Sequence, residues 1–189
     1  MNEIKDEVEK KKEKKSIVEE VFDFIKEFAK AAVIVIIVWN FVFNVTEVQG
    51  HSMNPTLTDG DRIVVWQLFY TPELFDVIVL EHTDGNFHVK RVLGTPNDRV
   101  DYIDGELFIN DELIDEEYIY DEPSVRGFIL EQLCQFDDCY VIPDGYFLVL
   151  GDYRNHSGDS RNYGLVHQSQ ILGRGVLRIT PFSDFGTFD

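Results

Sequence analysis

The sequence predicts a mostly β domain carried on a single N-terminal transmembrane α-helix. Three observations predict it. An apolar run at 28–45 is polar only at Lys30, Asn40 and Asn44. From Val45 onward, short β-branched and aromatic runs alternate with Gly, Asp and Asn turn signals. The lysines are also split: eight precede residue 31, and Lys90 is the only one after it.

Residues 1–27 come first and are densely charged. Ile17, Val18, Val21, Phe22 and Ile25 recur at helical spacing within them, and Phe28 just beyond continues the pattern. This predicts a charged cytoplasmic helix, either lying on the inner leaflet or forming a solvated extension of the next segment. Residues 28–45 then match the roughly 17–25 apolar residues that span a bilayer. Lys30 can snorkel at one end. Trp39, Phe41 and Phe43 fit an aromatic belt at the other. A buried core helix would show the same pattern. The positive-inside rule counts Lys and Arg, so the expected topology is N-terminus cytoplasmic and residues 46–189 extracytoplasmic, at the cell membrane. A cleaved signal peptide is the rival, with Val48-Gln49-Gly50 a weak cleavage site.

The outer domain reads as strands in order. Asp61–Gln67 and Asp76–Glu81 come first, then Phe87–Leu93 after the turn signal Thr83-Asp84-Gly85-Asn86. Val100–Ile103, Leu107–Ile109 and Leu113-Ile114 form a meander, and Tyr146–Leu150 and Ile171–Ile179 complete the set. No strong helix pattern and no repeat occur here.

Lys and Arg number 17 against 35 Asp and Glu, a net charge of -18. This argues against a nucleic-acid partner, since phosphate contacts need clustered basic groups. Ten acids fall between Asp101 and Glu122, a pattern expected of a solvated face. Cys134 and Cys139 are too few for a four-ligand zinc site. Outside the cytoplasm they are candidates to pair with each other. No HExxH occurs, so neither metal nor cofactor is expected.

Gly50-His51-Ser52-Met53-Asn54 lacks the second Gly of GxSxG and follows no α/β pattern. One constellation remains. Ser52 lies in a turn-like segment, and Lys90 lies on the apolar strand FHVKRVLG. A serine hydroxyl needs a neighbouring base. Lysine can be that base only when neutral, which requires burial.

Four ordered segments resemble bacterial type I signal peptidases. Ser52-Met53-Asn54-Pro55-Thr56-Leu57 with Gly60-Asp61-Arg62-Ile63 is similar to their nucleophile motif. Lys90-Arg91-Val92-Leu93-Gly94-Thr95-Pro96-Asn97-Asp98 resembles KRVxGxPGD, and Gly151–Arg161 resembles GDNRxxSxDSR. The closing GRGVLRITPF resembles the family's last strand. The resemblance implies a coiled β-sheet catalytic domain and a membrane-bound Ser–Lys serine endopeptidase. Its substrates would be signal-peptide-bearing preproteins, with membrane lipid a second partner and no cofactor. Ser52 would be the nucleophile and Lys90 the general base. Ser157 would orient the lysine by a hydrogen bond, and Asp159 with Arg161 would form a supporting ion pair. Gly50, His51 and Met53 would line the substrate cleft; His88, on the same strand face as Lys90, either joins them or is simply a partly exposed histidine, the more ordinary outcome. Asn97 stands where the family has Gly and Tyr153 where it has Asn. The alternative is a membrane-tethered peptide-binding module whose catalytic pair has lapsed.

Alternation puts His88, Lys90 and Val92 on one face of their strand and Val89, Arg91 and Leu93 on the other. A free lysine has a pKa near 10.4, so bringing it near 7 takes about 4 kcal/mol of desolvation. No carboxylate should then touch the Lys90 amine. Substrate should bind by strand addition at an unpaired edge, with Val45–His51 and Leu80–His88 the candidates. Trp66, Leu68, Phe69 and Tyr70 form an apolar cluster that either dips into lipid or packs in the core.

Overall fold

The computed structural model describes residues 17–82, 85–119, 127–135 and 139–188. Residues 1–16, Thr83, Asp84, Asp121 and Glu122, on which some expectations rest, lie outside them. The chain divides into two units, Met1–Phe41 and Val42–Asp189.

The first unit is helical. Helix α1 spans Ile17–Val42 and opens with Glu19 and Glu20 in its first turn, where the positive end of the helix dipole favours acids. Lys30 pairs with Glu27 at 2.7 Å one turn away. Val33 through Trp39 are all exposed.

The expected membrane span at 28–45 is corrected here. The helix ends at Val42, and Phe43, Asn44 and Val45 belong to a strand. Its uncharged run, Ala31–Val42, rises only about 18 Å at ~1.5 Å per residue. The hydrocarbon core is ~30 Å thick. Among the described residues no helix is long and apolar enough to cross a membrane.

The second unit holds two sheets. Strands β1 (Phe43–Glu47), β2 (Arg62–Trp66), β3 (Val77–Glu81), β4 (Phe87–Gly94), β9 (Tyr146–Leu150), β10 (Val166–His167) and β11 (Ile171–Thr180) form the larger. Their order is β1-β2-β11-β3-β4-β9-β10. Strands β5 (Val100–Ile103), β6 (Glu106–Ile109), β7 (Glu112–Ile114) and β8 (Phe128–Ile129) form the smaller, ordered β7-β6-β5-β8. Among the described residues this unit also holds two short α-helices, α2 (Leu130–Leu133) and α3 (Ser160–Tyr163), and three single 3₁₀ turns.

Both faces of the large sheet are buried, which explains the near-continuous apolar runs of β3 and β4. Val77, Val79 and Val89 pack with Val48, Met53, Leu57 and Ile63 on one face. Ile78, Leu80 and Val92 pack with Phe147 and Val149 on the other. A third cluster joins the small sheet through Tyr102, Leu107 and Phe128 to Leu148 and Leu150 of β9.

The C-terminal strand β11 inserts between β2 and β3. This corrects the expectation that Leu80–His88 offers an open edge, because Leu80 pairs with both His88 and Ile171. Strand β1 pairs with β2 and is the sheet's edge, as expected for Val45. Cys134 and Cys139 form a disulfide.

Candidate active site

Strand β2 is preceded by a tight loop that carries Ser52. The loop turns back at Gly50, whose φ of 82° suits glycine, and Asp59 accepts the Gly50 N–H at 2.7 Å. Asn54 N–H donates to the His51 carbonyl and Leu57 N–H to that of Met53. Asp61 stops the loop from fraying, accepting from the backbone N–H and the hydroxyl of Thr58. Met53 and Leu57 anchor it in the core. Ser52 is thereby held half-buried.

Lys90 sits in the middle of β4, opposite Ile78 of β3. It is 3% exposed. Its Nζ donates to Ser52 Oγ at 2.7 Å. Burial pushes the amine from 10.5 down to about 8; Asp159 and Asp152 oppose this and Arg161 assists it. Among the described residues no carboxylate forms an ion pair with Lys90, whose Nζ contacts Ser52 Oγ. Both opposing carboxylates are neutralised by arginines. Asp152 pairs with Arg91 and Asp159 with Arg161, at 2.9 and 2.7 Å.

The third component is the loop after β9. Gly151 N–H donates to Asp159 at 3.1 Å, and Tyr153 N–H donates to the Ser52 carbonyl at 3.0 Å. Asp159 is fully buried and caps α3, with Asn162 returning the bond to its N–H. Arg161 also donates to the Arg154 carbonyl at 2.9 Å. Gly151 has no room for a side chain. A Cβ there would collide with the Ser52 carbonyl oxygen and with Ser157 Oγ.

Three sequence segments thus meet at one place, in an order that can be compared with known proteins. The family model described as signal peptidase, peptidase S26, matches residues 21–180. The chain belongs to this family. It is 37% identical over 177 residues to signal peptidase IB of Staphylococcus aureus (strain COL), covering 88% of this chain and 93% of that protein. It is 32% identical over 171 residues to a probable signal peptidase I-2 of Synechocystis sp., covering 85% and 74%. A crystal structure of a signal peptidase I from Enterococcus faecalis V583 is 31% identical, covers 56% of this chain and 97% of its own, and superposes with a TM-score of 0.49. Membership makes the chain a serine peptidase of the class that acts on signal-peptide-bearing preproteins.

Within this signal peptidase, most of the expected residues converge. Ser52, Lys90, Asp159 and Arg161 are brought together. Gly50 and His51 lie exposed beside Ser52. His88 shares the face of Lys90, and its ring stacks on His82 at 4.9 Å.

Two expectations need correcting. Ser157 Oγ makes no bond to Lys90; it is buried without a hydrogen-bond partner, packed against Gly151. Met53 is 1% exposed and belongs to the core, because it points away from the turn that presents Ser52.

Sequence reasoning missed the clamps. Arg91 donates from Nε and Nη2 to both oxygens of Asp152, and Thr56 donates its hydroxyl to the same carboxylate. Arg178 of β11 holds Asp61 and the Thr56 carbonyl at 3.2 Å. All five residues stand inside the resembling segments, so their signal was present in the motifs without a role attached.

Proposed function

We propose that this protein cleaves signal peptides from exported preproteins with Ser52 as nucleophile and Lys90 as general base. One observation carries the proposal: the 2.7 Å contact between Lys90 Nζ and Ser52 Oγ at a buried lysine free of carboxylate contact. With the amine neutral, the proton of that contact runs the other way. Lys90 accepts it from Ser52 Oγ as Oγ attacks the scissile carbonyl. The carbonyl oxygen becomes an oxyanion, for which the Ser52 backbone N–H is one donor. Among the described residues that N–H makes no other bond. Lys90 then gives its proton to the departing amine, leaving an acyl-enzyme. Water, deprotonated by Lys90, hydrolyses the ester and frees Ser52. Asp159 with Arg161 and Asp152 with Arg91 hold the surrounding loops while screening their own charges from Lys90.

An extended substrate would add to the free edge of β1. A cavity of about 220 Å³ lined by Val45, Thr46, Val79 and Phe87 suits small side chains. The exposed apolar surfaces of α1 and of Trp66, Leu68 and Phe69 support lipid contact. The last three are not core, and Phe69 is 96% exposed.

The test is cleavage of a preprotein carrying an Ala-x-Ala site in detergent or lipid. Wild type should cut it, and Ser52→Ala and Lys90→Ala should not. Unimpaired cutting by both variants would exclude the dyad.

A further inference from the structure

We propose that Glu116 and Tyr118 are positioning residues, a strap that holds the two arginines flanking the dyad and through them the loops that present Ser52 and Lys90. This rests on the Ser52–Lys90 reading above. Both residues belong to the acidic stretch that the sequence presents as a solvated face. Glu116 is instead nearly buried. Its two oxygens accept from Nη1 and Nη2 of Arg154 at 2.9 and 2.5 Å. One of them also accepts the Tyr118 hydroxyl at 2.7 Å. The Tyr118 ring lies 4.2 Å from the Arg91 guanidinium, and the Arg154 guanidinium stands 5.9 Å from the same ring. A turn closed from Ile119 N–H to the Glu116 carbonyl sets the spacing of the two side chains.

Each arginine has a second task beside the dyad. Arg91 follows Lys90 on β4 and grips Asp152. Arg154 follows Tyr153, whose N–H holds the Ser52 carbonyl, and its Nε donates to the Gly151 carbonyl at 3.1 Å. Arg154 is a buried cation and cannot stay without an anion. The other carboxylates of this loop, Asp152 and Asp159, are committed to Arg91 and Arg161. Loss of the Glu116 charge therefore sets Arg154 competing for them. That competition would displace the backbone that carries Gly151 and Tyr153. Glu116 and Tyr118 act only through the arginines, and no hydrogen bond or ion pair links either to Ser52 or Lys90.

The experiment uses the full chain in detergent with a preprotein substrate, active sites being counted from the product burst of acyl-enzyme formation. The variants are Glu116→Gln, Tyr118→Leu, Tyr118→Phe and Ser52→Ala. Glu116→Gln and Tyr118→Leu should lower kcat per active site by about tenfold or more. KM should stay within about twofold, and the acid limb of the kcat/KM profile should move. Tyr118→Phe keeps the ring beneath Arg91 and should retain most of the rate and the wild-type profile. If Glu116→Gln and Tyr118→Leu lower only the melting temperature or the active fraction, with kcat per site and the acid limb unchanged, the strap is merely structural and the proposal is overturned. Ser52→Ala separates the two failures. Its inactivity leaves the dyad standing whatever Glu116→Gln does, whereas its retained activity would overturn the dyad and the strap with it.

Discussion

Arg91 binds Asp152 bidentately, at 3.0 and 2.9 Å, with both side chains almost wholly buried. The pair joins the strand that carries Lys90 to the loop that holds the Ser52 carbonyl. It leaves Lys90, the preceding residue of β4, without a carboxylate of its own.

Breaking that pair should be costly. Asp152→Asn leaves Arg91 as an uncompensated buried cation, at an expected cost of about 3–5 kcal/mol. Denaturant unfolding of the variant beside wild type measures it. A loss under about 1 kcal/mol would show that the pair does not hold the loops.

Gly151→Ala should cost rate rather than only stability. The added Cβ meets the Ser52 carbonyl oxygen and Ser157 Oγ, so Ser52 must shift. A displacement of this kind costs on the order of 100-fold in kcat. Steady-state cleavage by the folded variant reads it.

Tyr153→Asn should be nearly neutral. Only the backbone N–H of Tyr153 reaches Ser52, while its ring packs 4.5 Å from that of His156. The expected change in kcat/KM is under about threefold, in keeping with substitutions away from core and caps. A hundredfold loss would give the ring a role in the site.

Lys90 should also leave a mark on stability. Its folded pKa, near 8, lies below its ordinary 10.5. The unfolded chain therefore binds more protons between these values, and this group's contribution to stability rises with pH across pH 8 to 10.5. Below pH 8 the buried cation is a standing cost, on the order of 3 kcal/mol. Lys90→Met removes it, so the variant should gain on wild type at pH 7 and lose that advantage by pH 10.5. Thermal melts at the two pH values check the sign.

Much of this was legible in the sequence, for identifiable reasons. The strands β2 to β7 follow from alternation and turn residues, and β5 was bounded correctly at Val100–Ile103. Asn97 does adopt positive φ, 73°, as its substitution for glycine implied. The approach of Lys90 to Ser52 was legible because both residues stand in ordered motifs. Strand β1 was hidden inside the apolar run, since Phe43 and Val45 suit a helix in lipid and a strand equally well. The place of β11 between β2 and β3 was hidden too, because local pattern does not encode pairing over such sequence separations. Glu116 was misplaced for a related reason. An acid in an acidic stretch looks solvated until a distant arginine, here Arg154, is brought against it.

The most direct test of the dyad is the titration of Lys90 itself. With 13Cε-labelled lysine in the full chain, the signal lost in Lys90→Met is that of the base, distinct from the eight lysines that precede residue 31. A neutral base held by burial predicts a midpoint near 8 in the folded, active enzyme, coinciding with the acid limb of kcat/KM. A midpoint near the ordinary 10.5, in enzyme that still cleaves, would contradict it.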